Sequence, residues 1–408
     1  MNATRSSVAS AATLLACALV LTACGDDSAA SAPSLAAPPS SASPSTDNPP
    51  SAPGSSTPSA SAADSPTAGG SPGPTSPAPA PSAPAVTAGN PAGRAPVPAD
   101  AAPVDTSHPD RTVGTGSPAG CTSQAVVDAV AAGGIITFSC GPAPVTITLT
   151  RTARVRNASA RVVLDGGGRV TLSGGGARRI LYLNTCDQQQ GWTTSHCQDQ
   201  ASPELTVQHL TFADGNASGQ SADGGGGGAI FVRGGRLRVI DSRFVRNRCD
   251  QAGQDVGGGA VRVLDQYHGL PVIVSGSTFG GADGEGNSCS NGGALSSIGV
   301  SWTIRNSVLS GNTATGRGAN PARPGTPGGG NGGALCTDGN HYAVDIAGSV
   351  VNGNLAHEGG GGLFFVSNDR TGTLRTATTT LTGNTSEGFE TPGHPGIFFQ
   401  GAGSPRTS

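Results

Sequence analysis

The chain has 408 residues and a formal net charge of −3, and it contains no Lys, so its 23 basic residues are all Arg. Near-neutrality removes the electrostatic case for a nucleic-acid partner. Composition also changes sharply along the chain, which excludes spreading its length over two or three ordinary domains.

Residues 1–23 read as an export signal. Arg5 is followed by an apolar run from Val8 to Val20, and then by Leu21, Thr22, Ala23 and Cys24. The run is too short to span a bilayer as a mature helix, and a small residue precedes the cleavage point. The Leu-x-Ala-Cys ending resembles the lipobox of bacterial lipoproteins. That resemblance implies a diacylglyceryl group on the Cys24 thiol, removal of the preceding peptide and, often, acylation of the new amine. Two or three acyl chains anchor a protein stably where one is marginal. The expected location is therefore the extracytoplasmic face of a bacterial membrane or the cell surface. Residues 24–116 are dominated by Ser, Ala, Pro, Thr and Gly, with too few large apolar side chains to offset the entropy of ordering. They are expected to form a disordered tether with an r.m.s. reach of roughly 50 Å.

Over residues 117–408, short runs of Val, Ile, Leu and Phe alternate with turn residues, an all-β pattern. One short helix is predicted over residues 122–132. Thr122 or Ser123 would cap it, Val126, Val127 and Val130 form its apolar positions, and Gly133-Gly134 stop it. Its expected role is to cap one end of the fold, where bare strand edges would invite aggregation. Strands are predicted over 135–138, 145–149, 162–164, 170–172 and 180–183.

From Leu205 onward the sequence repeats. Segments begin at Leu205, Leu237, Val272, Trp302, Val344 and Leu374, and seven residues later each carries an apolar residue: Phe212, Phe244, Phe279, Leu309, Val351 and Leu381. An Asn follows in every copy (Asn216, Asn247, Asn287, Asn312, Asn354, Asn384). Gly-rich sequence then opens a second apolar segment, as in Gly228-Ala229-Ile230, Gly259-Ala260-Val261 and Gly333-Ala334-Leu335. A period of about 30 to 40 residues with no helical pattern fits the stacked coils of a β-solenoid. Propeller blades would need tight hairpin dipeptides, which are missing. Equivalent residues of stacked coils lie about 4.8 Å apart. The Asn column is thus expected to hydrogen-bond along the stack, and the Gly pairs to turn corners with positive φ.

Gly227-Gly228-Ala229-Ile230 and Phe244-Val245-Arg246-Asn247 resemble the GGAI and FxxN repeats of polymorphic membrane proteins and similar surface autotransporter adhesins. The wider likeness, over about residues 121–400, is to the pectate-lyase-like right-handed β-helix superfamily. It implies a right-handed parallel β-helix and says little about activity. The chain departs from the pattern with Leu309, Val351 and Leu381 in place of Phe and an extra residue between Phe212 and Asn216. No C-terminal translocator barrel is expected in it, and lipidation of Cys24 would supply the anchor instead.

Beyond Cys24 the chain carries Cys121, Cys140, Cys186, Cys197, Cys249, Cys289 and Cys336. Outside the cytoplasm these can pair, and none has the doublet spacing of a zinc site. Proximity pairs Cys121 with Cys140 and Cys186 with Cys197. Cys249 and Cys289 each lie two residues past their Asn, hence on adjacent rungs, and are expected to bridge. Cys336 is left over, either as an exposed free thiol or as an intermolecular bridge, unless the register is misread.

Insertions between each Asn and the next Gly pair are longest over 313–331, and they place loops on one side, often the binding face of a solenoid. Phe231, Arg262, Ser296, Cys336, Phe364 and Phe398 form an outward column, with Arg233 nearby. Exposed, these aromatics and arginines would suit sugar rings and anionic groups; otherwise they pack beneath loops. Arginines cluster from Arg151 to Arg179 and from Arg233 to Arg262, with Arg238 and Arg243 in the second group. They either form a basic face for an anionic envelope polymer or are simply solvated. His209 and Asp241 share a column on neighbouring rungs and are the best acid–base pair, although Gly276 and Asn306 serve there equally well as turn residues. The patterns typical of polygalacturonases and pectate lyases are missing. Asp283 and Glu285 lack the spacing of calcium repeats. The leading expectation is a monomeric surface protein that binds an envelope or extracellular polysaccharide, with no cofactor or metal. A divergent polysaccharide lyase or glycoside hydrolase comes second, and a structural spacer third.

Overall fold

The seven-residue offset spans one corner of a coil. In the copy that begins at Val272, the strand Val272–Ser275 sends Val272 and Val274 into the core, the chain turns at Gly276, and the strand Thr278–Gly280 buries Phe279. A third, short strand, Ser288–Cys289, follows, and the strand Leu295–Ile298 then supplies Leu295 to the same core. The structure is a computed structural model that describes residues 87–221 and 224–408, all within the unit Pro77–Ser408. The export signal, Cys24 and the tether up to residue 86 lie outside the described residues.

Successive copies pair side by side, parallel and in register. Pairing aligns Leu205 with Leu237, Val272 with Trp302, Trp302 with Val344, and Val344 with Leu374. One corner further on, Phe212 aligns with Phe244, and then Phe279, Leu309, Val351 and Leu381 follow in turn. Among the described residues the strands collect into three sheets of 16, 8 and 4 strands. The first is the largest because the long strands Arg161–Ser173 and Glu204–Ala213 run through the corner and join two rows. The chain is therefore mostly parallel β-structure in stacked sheets with little helix, consistent with a β-helix.

Three columns hold the copies together. Phe212, Phe244 and Phe279 stack inside with ring centroids 4.9 and 4.7 Å apart. Burying each is worth about 1.5–3 kcal/mol, and each aromatic contact adds about 0.5–1.5 kcal/mol. At the second corner Asn247, Asn287, Asn312, Asn354 and Asn384 form a ladder in which each Nδ2 donates to the next Oδ1 at 2.9 Å. Asn216 stands outside it. The extra residue after Phe212 puts Gly215 in that place, whose N–H donates to Asn247 Oδ1, while Asn216 bridges to Arg248. A third column was not foreseen: the backbone N–H groups of Ser242, Ser277, Ser307 and Ser349 each donate to the hydroxyl of the next rung, ending at Thr379. Each of these serine hydroxyls turns back to a carbonyl two residues earlier, so these buried polar groups are satisfied.

The Gly pairs do two separate things. The first member takes a left-handed φ, as at Gly258 with φ 74°, which costs Gly no Cβ clash. The second is a close approach: a Cβ on Gly228 would meet the carbonyl oxygen of Gly259, one rung away, at 2.6 Å. Any side chain there would push the coils apart.

The predicted helix is present as Ser123–Ala132. Thr122 Oγ1 accepts from the Ala125 N–H, Gly133 ends the helix with φ 72°, and Val126, Ala129 and Val130 join the core. The strands expected over 162–164 and 170–172 are one strand, Arg161–Ser173, whose register shifts between Asp165 and Val170. Gly167 and Gly168, at positive φ, absorb that irregularity.

Residues 87–113, placed by composition in the tether, are laid along the coils. Asn90 Nδ2 donates to the Gly348 carbonyl, Ala95 exchanges two hydrogen bonds with the Asn306 amide, and Val104 exchanges two with Gln208. Arg111–Val113 then pairs in parallel with Gly134–Phe138. The segment looked unstructured because it buries few apolar groups; it is held by hydrogen bonds to side chains of distant coils.

Candidate functional site

The column that contains His209 and Asp241 is the left-handed corner of every coil. His209, Asp241, Asn306 and Thr378 have φ between 44° and 50°, and Gly276 and Gly348 complete the series. Asp and Asn tolerate this conformation; His and β-branched Thr do so at a cost. The rung before His209 contributes Asp165, which the sequence reading missed because it precedes the regular repeats. His209 Nδ1 lies 3.0 Å from Asp165 Oδ1, and Nε2 lies 3.7 Å from Asp241 Oδ2. The imidazole thus sits between two carboxylates. The hydrogen bond to Asp165 raises the His209 pKa, and the charges of Asp165 and Asp241 add to that against partial burial. Burial pushes Asp165 up, but hydrogen bonds from His209, Gln208, the Gly167 N–H and Thr106 more than offset it and hold that carboxyl well below its usual range. Asp241 is pushed up by burial, with His209 opposing. Beside it, a cavity of about 370 Å³ lies between the 87–106 segment and the corner column, lined by Val97, Pro103, Ile240, Asp241, Ser275 and Asn306 among others.

The outward column is in register as expected: Phe231 pairs with Arg262, Arg262 with Ser296, Ser296 with Cys336, Cys336 with Phe364 and Phe364 with Phe398. It is not exposed. Phe231, Arg262, Ser296, Cys336 and Phe364 are all buried, and only Phe398 is partly open. Phe231 stacks on the Tyr182 ring, and the Arg179 guanidinium lies against both, 4.8 Å from the Phe231 ring and 5.6 Å from that of Tyr182. Phe364 stacks on Phe398, with Phe389 edge-on to both. These groups form a second packed layer outside the coil core. Among the candidate arginines, Arg233 faces Asp265, Arg238 pairs with Glu204 and Arg243 with Glu285. Arg262 donates to Ser296 Oγ and to the Asp255 carbonyl, and burial lowers its pKa to about 10.

Cys121–Cys140, Cys186–Cys197 and Cys249–Cys289 are disulfides. Cys336 is free and buried, which removes the exposed-thiol and intermolecular alternatives. Burial pushes its thiol up to about 12, so at neutral pH it is an inert thiol. Cys249–Cys289 ties the base of the loop side. There, the loops after Asn247 and Asn312 meet over the rung between them. Gln254 accepts from the Asn320 amide and the Ala322 N–H, Gly253 bonds Gly328, and Thr315 donates to the Gln251 carbonyl. Arg323 makes two hydrogen bonds to Glu358, which also accepts from the Gly318 N–H. The insertions therefore form one continuous, ordered wall.

Another hollow lies at the helix end of the stack. It measures about 590 Å³ and lies between the helix, the segment 151–156 and Gln189-Gln190; Arg151, Arg154 and Arg156 line it. Among the described residues no group of three or more His, Cys, Asp or Glu side chains converges as a metal site would. Comparison with family models, with curated proteins and with solved structures gave no match.

Proposed function

We propose that this chain is a lipid-anchored, extracytoplasmic protein that presents a right-handed parallel β-helix of the pectate-lyase-like kind and binds envelope or extracellular polysaccharide. In this reading Cys24 carries the lipid, residues 24–86 form the tether, and the helix Ser123–Ala132 caps the stack. The observation that carries it is the loop wall. Insertions on separate coils interlock through Gln254, Asn320 and Arg323 into a single polar surface, which a spacer has no need to build. A row of amides, hydroxyls and backbone groups matches the hydroxyl-rich surface of a glycan chain better than an apolar partner.

The test is a polysaccharide array probed with the full chain, beside a variant in which residues 318–327 are replaced by two glycines. The expected result is retention of at least one polymer by the parent and at least tenfold weaker binding by the variant. Retention of no polymer would contradict the reading. A divergent hydrolase or lyase is the second reading, favoured by the Asp165–His209–Asp241 contact, since paired carboxyl groups with a tuned imidazole can move protons. It requires release of reducing or unsaturated sugar that stops in His209→Ala/Asp241→Ala.

A further inference from the structure

The hollow at the helix end holds more cationic charge than its surroundings neutralise. Arg154 is committed: its Nη1 lies 3.3 Å from Asp187 Oδ2 and its guanidinium stacks 4.4 Å above the Tyr182 ring. Arg151 and Arg156 have no ion-pair partner among the described residues. Each is steered by one neutral contact, Arg151 Nη2 to Gln124 Oε1 at 2.8 Å and Arg156 Nη1 to the Gln189 carbonyl at 2.9 Å. Those contacts fix the side chains and leave most of their donors free. Asp128 of the helix also lines the hollow, accepting from Gln124 Nε2 at 2.6 Å, and with Asp187 on Arg154 the two carboxylates offset two of the three arginines, which leaves the hollow positive.

One wall of the hollow is braced. The turn Gln188–Gln190 is pinned by the Asp187 cap and by the Cys186–Cys197 disulfide, which closes the loop, and Gln190 is buried, its Nε2 donating to Asp187 at 3.0 Å. The hollow therefore combines free guanidinium donors with a fixed frame.

We infer that this hollow is a binding site for a small anionic group, a carboxylate or a phosphate, held by Arg151 and Arg156. Arg suits the anion because its fork of donors matches the oxygens of either group. The site lies at the helix end and uses none of the loop-wall residues, so it stands or falls separately from the polysaccharide reading.

The experiment is calorimetric titration of the full chain at low ionic strength, where charge interactions are least screened. The probes are galacturonate, glycerol 3-phosphate, sulfate, and galactose as the neutral control. Binding of galacturonate, glycerol 3-phosphate or both is expected, with none for galactose; which of the two binds identifies carboxylate or phosphate as the source. Arg151→Ala/Arg156→Ala should weaken every anion at least tenfold. Both arginines are exposed, so the double variant is expected to fold, and an unchanged circular dichroism melt checks that. Failure of all three anions to bind, or unaltered binding in the double variant, would overturn the assignment. The loop-shortened chain should bind the anions as the parent does, which separates this result from the array experiment.

Discussion

Asn312 shows how much a single side chain does in a stack. Its Oδ1 accepts from the Asn287 backbone and amide, and its Nδ2 donates to Asn354 and to the Phe279 carbonyl. Asn312→Ala leaves several buried groups without partners, so the expected loss is about 2–4 kcal/mol, read as a lower urea midpoint; a change within about 0.5 kcal/mol, typical of ordinary surface positions, would mean the ladder is ornamental. His209 gives a pH signature with a definite sign. Its pKa is raised in the folded state, so its contribution is fully present below the unfolded value, about 6.5, and is lost as pH rises through the folded value. Asp165 works at the other edge: held low, it stabilises above an unfolded value of about 3.9 and loses that contribution as pH falls through its folded value. Urea midpoints measured across pH should therefore decline above neutrality in the parent and flatten there in His209→Gln. An identical decline in both would show that the imidazole is not responsible.

At the scale of elements, the repeat was readable wherever a side chain had to face the core or turn a corner. The aligned Phe, Leu and Val positions, the Gly pairs and the Asn column all follow from that constraint, and the register located Cys249 opposite Cys289. What escaped had a different physical basis. The serine column satisfies backbone N–H groups through short polar side chains, although Ser242, Ser277, Ser307 and Ser349 each precede their core residue by two places. The 87–113 segment binds through hydrogen bonds and one short strand, with almost no apolar signal of its own. Burial of Phe231, Arg262 and Phe364 came from loops and neighbouring rings that no periodicity encodes. The arginine hollow depends on a helix, a strand edge and a disulfide-closed loop meeting in space. The Cys249–Cys289 bridge, spanning a sequence separation of 40, should contribute about 2–4 kcal/mol. In Cys249→Ser/Cys289→Ser, limited proteolysis should cut first within 250–258 or 315–331, because the bridge anchors the wall those loops form. First cleavage elsewhere would place the weakest element outside the wall.

The whole molecule is an array in which each coil touches its neighbours in sequence, so stability is expected to be a sum of coil and interface terms. The central claim is that successive copies lie parallel and in register, one rung apart. Cysteine cross-linking tests it directly at an accessible row: Ser310 pairs with Asn352, and Asn352 with Thr382. Neighbouring rungs are about 4.8 Å apart, within disulfide reach, whereas two rungs exceed it. Oxidation followed by mass spectrometry should give an intramolecular disulfide in Ser310→Cys/Asn352→Cys and none in Ser310→Cys/Thr382→Cys; the reverse pattern would contradict the register and the stacked fold built on it.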